Sequence, residues 1–428
     1  MTVVELAKTR IWQRARATAR SGAGTGTRTY YLMTLIAGIL LVFGLVMILS
    51  ASSVSAYTRY GSSFLFFQRQ VVWAVIGVAA MLIVSRIDYH RWRSLGWLLL
   101  LATIAGLVLV LHPSFGTRVG GSSRWLGFGA VRIQPSEIAK LALLLVAADI
   151  AVRKNGRLTT LREIILPLGV IVALITGLIL LQPDLGTALV TVAIVFIVVF
   201  VAGVPMRLLG GLGLVGGIGA LGMALAEGYR RARLFSFLNP FRDPLNSGYQ
   251  SVQSLIALGS GGFFGVGLGR SRQKWLYVPN AHTDFIYAIL GEEVGLVGTM
   301  AVIGLFIGFA YVGVRTARRA PDAFGRLVAI GITTWIVGQA IVNMGAVTGL
   351  LPITGVPLPL VSFGGSALVV SLIAIGILAN IARQEQWPPP GSPNAKAPKP
   401  RRSVRVATQR ADRSRAATRA PATGRPSA

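Results

Sequence analysis

Several acidic side chains in this chain stand where a carboxylate can act on something other than bulk water. Asp284 follows Pro279-Asn-Ala-His-Thr283 and precedes the apolar run Phe285-Ile-Tyr-Ala-Ile-Leu290. It therefore lies where an aqueous loop meets a dry helix. Partial desolvation at such a boundary raises a carboxylate's pKa toward neutrality, which suits a general base. Asp is also a preferred helix N-cap, in the charged form that the helix dipole favours, and this plainer role competes for the same residue. Glu137 and Lys140 stand three apart behind Gln134-Pro-Ser136, with Pro suited to the first turn of a helix. That spacing puts both on one face, where they can pair either as a structural ion pair or as the lining of a cavity. Glu292 and Glu293 are adjacent, about 100° apart around a helix, and are expected to face different ways.

Positive charge that could meet an anion is concentrated in Glu227–Thr283. This segment carries Arg230, Arg231, Arg233, Arg242, Arg270, Arg272 and Lys274 against Glu227 and Asp243. A phosphate-bearing lipid headgroup would explain the surplus, although long loops also cross a membrane regardless of charge. Gly259-Ser-Gly-Gly-Phe-Phe-Gly-Val-Gly-Leu-Gly-Arg270 superficially resembles a phosphate loop. It lacks the Gly-Lys-Ser/Thr ending and reads instead as a flexible re-entrant or surface loop. Arg124-Trp125-Leu126 reads as a short outer loop with an interfacial Trp, and Gln182-Pro-Asp184-Leu-Gly as a turn and helix cap. Three His, no Cys and no His-Glu-x-x-His, Walker or Gly-x-Ser-x-Gly motif disfavour zinc chemistry, nucleotide hydrolysis and an elbow serine.

The elements that must position these residues are membrane helices. Of 428 residues, 53% are hydrophobic and only 13% charged, yet the net charge is +28. A soluble nucleic-acid binder would carry nearer to about 25% charged residues, so nucleic acid is not the expected partner. Runs free of Asp, Glu, Lys and Arg cover 29–58, 70–85, 94–117, 164–183, 185–206 and 208–226, and no charge appears over 327–382. A spanning helix needs about 20 apolar residues, so each run holds one span. The last stretch holds two, split by Gly349-Leu-Leu-Pro-Ile-Thr-Gly-Val-Pro-Leu-Pro359. With 133–152 and 285–314, which carry internal charges, the expectation is an all-α polytopic protein of ten transmembrane helices. Most of the 42 basic residues fall on one side when both termini are cytoplasmic. One long extracytoplasmic loop then joins helices 7 and 8, and 254–258 reads as a short interfacial helix. The chain divides into a basic N-terminal segment (1–29), a membrane core (30–383) and a Pro- and Arg-rich tail (384–428) expected to be disordered.

The ordered motifs Arg124-Trp-Leu, Gln134-Pro-Ser-Glu-Ile-Ala-Lys140, Gln182-Pro-Asp-Leu-Gly-Thr-Ala188 and Arg233-Leu-Phe-Ser-Phe-Leu-Asn-Pro240 resemble the SEDS family, which includes FtsW and RodA. So do Tyr249-Gln250 with Gln253, Gly265-Val-Gly-Leu-Gly269, His282-Thr-Asp-Phe-Ile286, Gly291-Glu-Glu-Val-Gly295, Gly349-Leu-Leu-Pro-Ile-Thr-Gly355 and Ser362-Phe-Gly-Gly-Ser366. The resemblance covers roughly 30–383. The extended basic termini and Gly269-Arg-Ser-Arg-Gln-Lys-Trp275 are more similar to the division type of actinobacteria, and Gly355-Val-Pro-Leu-Pro359 also occurs in the elongation type.

The resemblance implies a peptidoglycan glycosyltransferase that polymerises lipid II at the outer face of the bacterial cytoplasmic membrane, at the septum for a division-type member. It implies Asp284 as catalytic base. It further implies Arg124, Trp125, Glu137, Lys140, Arg233, Arg270, Lys274, His282 and Thr283 as substrate-binding residues, the basic ones as candidates for the lipid pyrophosphate. A divalent cation, Mg2+ or Mn2+, is a candidate to assist there, with no ligands identified. The implied partners are lipid II, the undecaprenyl-pyrophosphate-linked glycan, a class B penicillin-binding transpeptidase and divisome proteins that the basic tail could recruit. A lipid II flippase and a non-enzymatic scaffold are the competing readings.

Overall fold

The computed structural model describes residues 3–385 except 120–121, 129–130, 155–160, 227 and 276. The basic tail from 386 onward lies outside the described residues. Glu385 belongs to the packed unit: its buried carboxylate accepts from Thr29 and Thr316, each at 3.1 Å.

The chain is mostly helical. Helices α1 (Val3–Tyr60), α2 (Leu65–Val84) and α3 (Arg91–Leu111) come first. Three short strands follow, β1 (Gly116–Val119), β2 (Ser122–Phe128) and β3 (Val131–Ile133), in an antiparallel sheet of order β1-β2-β3. Next are α4 (Pro135–Lys154), α5 (Leu161–Ile164), a π turn over Ile165–Gly169, α6 (Val170–Leu180), α7 (Leu185–Val201) and α8 (Met206–Ala226). The long connection carries α9 (Gly228–Leu238) and α10 (Tyr249–Gly261), and α11 (Ile286–Arg319), α12 (Ala323–Val347) and α13 (Gly365–Arg383) complete the chain. Among the described residues seven helices are long and apolar enough to cross a membrane, and 166–180 and 185–201 are shorter apolar helices.

α4 packs against α3, α7 and α12, and nearly every residue from Pro135 to Ala151 is buried. A helix surrounded by protein need not present a lipid-facing surface, so it can carry Glu137, Lys140 and Asp149 provided each is paired. Asp149 is paired at the far end, accepting from Trp97 at 2.9 Å and Arg153 at 2.8 Å, and also from Arg93.

Two local structures differ from the sequence expectation. Residues 122–128 form the middle strand of the sheet, not a loop. Pairing jumps from Thr117↔Trp125 to Arg118↔Ser123, leaving Arg124 as the extra residue of a bulge. A bulge bends the strand and re-aims the side chain it carries. The second difference is in α11, which is broken at Gly295 (φ 69°, ψ −163°) where a continuous helix is expected. The glycine-rich loop after α10 fills the break. Val266 and Gly267 donate their N–H groups to the carbonyls of Glu292 and Glu293, at 2.9 and 3.0 Å. Leu296 and Val297 donate in turn to Gly262 and Phe263, at 2.9 and 3.1 Å. A break at membrane depth requires such replacement bonds, because lipid offers none.

The close approach depends on particular glycines. A Cβ on Gly265 (φ +79°) would lie 2.2 Å from the Glu293 carbonyl oxygen, whereas one on Gly269 (φ +78°) would meet nothing within 4 Å. Gly269→Ala should therefore cost only left-handed strain, about 1–2 kcal/mol. Gly265→Ala should cost more, because backbone must also move. Thermal unfolding of the two variants in one detergent checks the order; equal losses would refute the packing argument.

Candidate functional site

Asp284 lies just before α11, half-buried. The N-cap position falls to Phe285, which makes no side-chain capping bond. The backbone around the acid is unusually constrained. The carbonyl of His282 accepts from Phe363 N at 2.9 Å, that of Thr283 from Ser362 Oγ at 2.7 Å, and that of Asp284 from Asn343 Nδ2 at 2.8 Å. Three successive carbonyls are held from outside their own segment. Gln70 steadies the same corner, accepting from Gly364 N at 3.2 Å and donating to the Ser362 carbonyl at 3.4 Å.

The Gly- and Pro-rich stretch between α12 and α13 faces the carboxylate. A Cβ on Gly355 (φ +72°) would sit 3.6 Å from Asp284 Oδ2. The other side of this stretch packs on the start of α7, where a Cβ on Gly186 would lie 2.6 Å from the Thr354 carbonyl oxygen and 2.8 Å from Val356. Asp184 caps α7, accepting from Thr187 N at 3.1 Å and Thr187 Oγ1 at 2.9 Å, as its position after Gln182-Pro predicts. Arg124, aimed by the strand bulge, donates to the carbonyls of Gln182 (3.3 Å) and Pro183 (2.6 Å) and stands 3.6 Å from Asp184. It ties the sheet to the α7 cap while its side chain remains 28% exposed. Trp125, beside it in β2, is half-buried.

The Glu137–Lys140 pair forms as its spacing predicts. Lys140 Nζ is 2.9 Å from both carboxylate oxygens of Glu137, donates to Gln339 Oε1 at 2.9 Å, and lies 5.1 Å from the centre of the Trp335 ring. Both charged residues are almost fully enclosed, Lys140 at 1% and Glu137 at 3% exposure.

A second cluster occupies the break in α11. Lys274 is buried. Its ammonium reaches the Gly269 carbonyl at 2.6 Å, and Glu293 and Ser50 at 3.4 Å each. The ammonium is thereby committed within the fold, whereas Arg270 presents an exposed side chain, as do Arg231, Arg242 and Arg272 of the same segment. Glu292 and Glu293 do not diverge as adjacent helical residues are expected to. Glu292 accepts from Arg272 N at 2.8 Å, Gln273 N at 3.3 Å and Ser271 Oγ. Glu293 accepts from Ser50 Oγ at 2.6 Å and, at the limit of 3.4 Å, from Ser271 N. The broken helix lets the turn 271–274 lie across both carboxylates. This cluster is nine residues along the chain from Asp284, about 13 Å of helix rise.

His282 is enclosed by aromatic rings, stacked on Phe66 at 4.8 Å and edge-on to Phe363 at 5.6 Å. Burial, with the charge of Arg59, pushes its pKa down to about 4, so the ring is neutral at physiological pH. Thr283 Oγ1 donates to the Asn280 carbonyl at 3.2 Å. Arg233 lies in α9, and its side chain falls outside the described residues. No group of three or more His, Asp or Glu is arranged to hold a metal among the described residues.

Residues absent from the sequence expectation are Trp335, Gln339 and Asn343 on α12, Ser50 on α1 and Gln70 on α2. The three on α12 had a signal: polar or amphipathic side chains recurring every four residues inside a charge-free run, hence on one face.

Residues 30–387 match the family model described as cell cycle protein, which groups FtsW, RodA and SpoVE. Stage V sporulation protein E of Bacillus subtilis is 44% identical over 357 residues, 83% of this chain and 97% of its own. The probable peptidoglycan glycosyltransferase FtsW of Mycobacterium tuberculosis is 41% identical over 374 residues, 87% of this chain and 71% of its own. Among solved structures, a chain of a peptidoglycan synthase complex described for coordinated polymerization and crosslinking superposes with a TM-score of 0.67 at 29% identity, covering 82% of this chain and 97% of that one. The rod shape determining protein RodA of Thermus thermophilus superposes at 0.61 with 28% identity, covering 82% and 96%.

Proposed function

We propose, for a chain that belongs to the FtsW/RodA/SpoVE family of cell cycle proteins, that Asp284 is the general base of lipid II polymerisation. The protein is a peptidoglycan glycosyltransferase and a multi-pass membrane protein. The observation that carries the assignment is the half-buried carboxylate of Asp284, facing the Gly355 loop on a backbone held at three successive carbonyls.

In this reading the growing glycan, attached to undecaprenyl pyrophosphate, is the donor. The 4-hydroxyl of the incoming lipid II sugar attacks the anomeric carbon. Asp284 takes the hydroxyl proton as the new bond forms and the bond to the pyrophosphate oxygen breaks. Attack from the face opposite the leaving group inverts the centre and yields a β-1,4 link. The pyrophosphate leaves as an anion and needs positive charge beside it. Arg270 is exposed for that role, Arg124 is partly exposed near the α7 cap, and Arg233 stands in α9. Lys140 and Lys274 serve from within, holding the core and the broken helix.

Ten spans complete the reading: the seven long apolar helices, the two shorter ones and the enclosed α4. Both termini face the cytoplasm, and the site opens outward. The partner is a class B penicillin-binding transpeptidase, which suits the similarity to a chain of a polymerizing and crosslinking complex. A division-type role at the septum, with divisome proteins recruited through the tail, follows from the basic termini.

The test is direct. Purified full-length protein, with its transpeptidase partner where required, is incubated with lipid II, and glycan strands are expected on a gel. Lipid II that crosses vesicle membranes at full rate without forming polymer would overturn the enzyme reading in favour of a transporter.

A further inference from the structure

We infer that Asn343 is a positioning residue for Asp284, tying the base to the loop that faces its carboxylate. The inference rests on Asp284 being the base. Asn343 is 2% exposed, and its Nδ2 donates to two carbonyls, Asp284 O and Val356 O, both at 2.8 Å. Both partners are acceptors only, so the amide must present its NH2 group to them. Its Oδ1 is buried and has no partner. An apolar side chain would avoid that orphaned acceptor but would leave both carbonyls without this donor. The residue type thus trades one satisfied polar atom for a bridge between two chain segments.

Gln339, one helical turn earlier, continues the bridge. Its Nε2 donates to the Pro357 carbonyl at 2.9 Å, while its Oε1 accepts from Lys140 Nζ and Trp335 Nε1 at 2.9 and 3.0 Å. A cation on the acceptor side polarises the amide and strengthens its donation on the other side. Residues 335, 339 and 343 share one face of α12, and that face binds the carbonyls of Pro357, Val356 and Asp284 in turn. Gly355, next to the held Val356, is close enough that a Cβ on it would lie 3.6 Å from Asp284 Oδ2. The loop buries Val356, Leu358, Leu360 and Val361, and the hydrogen bonds from α12 fix its backbone beside Asp284. The Glu137–Lys140 pair, on this view, is the far anchor of the same chain of contacts.

Steady-state polymerisation by the full-length protein tests this, with its transpeptidase partner where required. In Asn343→Ala a carboxylate displaced by about 1 Å should lower kcat about 100-fold. KM for lipid II should stay within about twofold, because no substrate contact is removed. Asn343→Ser, a smaller change whose hydroxyl is one atom too short to bridge both carbonyls, should show the same split and serves if the alanine variant does not fold. A folded variant that keeps kcat within about threefold, or whose loss lies in KM, would overturn the positioning role. Wild-type protein that makes no glycan would instead overturn the underlying assignment of Asp284, a result distinguishable from an active wild type matched by an equally active Asn343→Ala.

Discussion

Replacing Asp284 by Asn should abolish glycan formation by the purified protein while leaving its unfolding temperature close to that of the wild type. The amide has nearly the shape of the carboxylate, so packing beside Gly355 survives. The bonds that hold this segment run to backbone carbonyls of residues 282–284, and the substitution does not touch them. What disappears is the ability to accept a proton from the attacking hydroxyl. General-base assistance is worth about 10²–10⁴ in rate, so turnover should fall by about that factor. Lipid II should remain unconsumed over the time in which the wild type forms strands. A folded Asp284→Asn protein that polymerises within about tenfold of the wild-type rate would remove Asp284 from the chemistry.

The second large effect is on stability. Lys140→Met should destabilise the protein by about 3–5 kcal/mol, because it leaves the Glu137 carboxylate enclosed without its cation. The geometry makes this pair different from the many surface ion pairs that contribute little. Lys140 and Glu137 are 1% and 3% exposed, and water cannot replace the lost partner. Gln339 would lose its charged donor at the same time, and with it part of the support for the loop that faces Asp284. The double variant Glu137→Gln/Lys140→Met removes the stranded charge and should recover a substantial part of the loss. Detergent-phase unfolding of the two single variants and the double one gives the coupling energy. Single losses below about 1 kcal/mol that simply add would show that the pair holds nothing.

Much of the architecture was legible because lipid imposes a simple rule. A spanning helix must hide its backbone and expose apolar side chains, and runs such as 29–58 and 327–382 state that rule plainly. The Glu137–Lys140 pair was legible from spacing alone, and the Asp184 cap from its place before Leu185-Gly-Thr187. Residues 116–133 were not legible as a sheet. Their strands are short, and the extra residue at Arg124 breaks the alternation by which a strand is recognised. The break at Gly295 was hidden for another reason: an isolated glycine in an apolar run is compatible with a continuous helix. Only the loop 262–267, distant in sequence, supplies the bonds that make the break affordable.

The site divides the same way. Residue type and local neighbours marked Asp284 as a carboxylate at a wet–dry boundary, and the motif around it as the family's. The backbone that carries it is held by Asn343, Ser362 and Phe363, more than fifty residues away. Lys274 and Arg270 were equal candidates in the sequence, since both are cations in one basic loop. Folding separated them, burying Lys274 against Glu293 and leaving Arg270 exposed. The sequence by itself determined which residues could carry charge and which stretches had to lie in lipid, because solvation depends on composition and local order. Only the tertiary structure decided which of those charges are neutralised within the fold and which remain for a substrate. That depends on the partners long-range packing brings within a few ångströms.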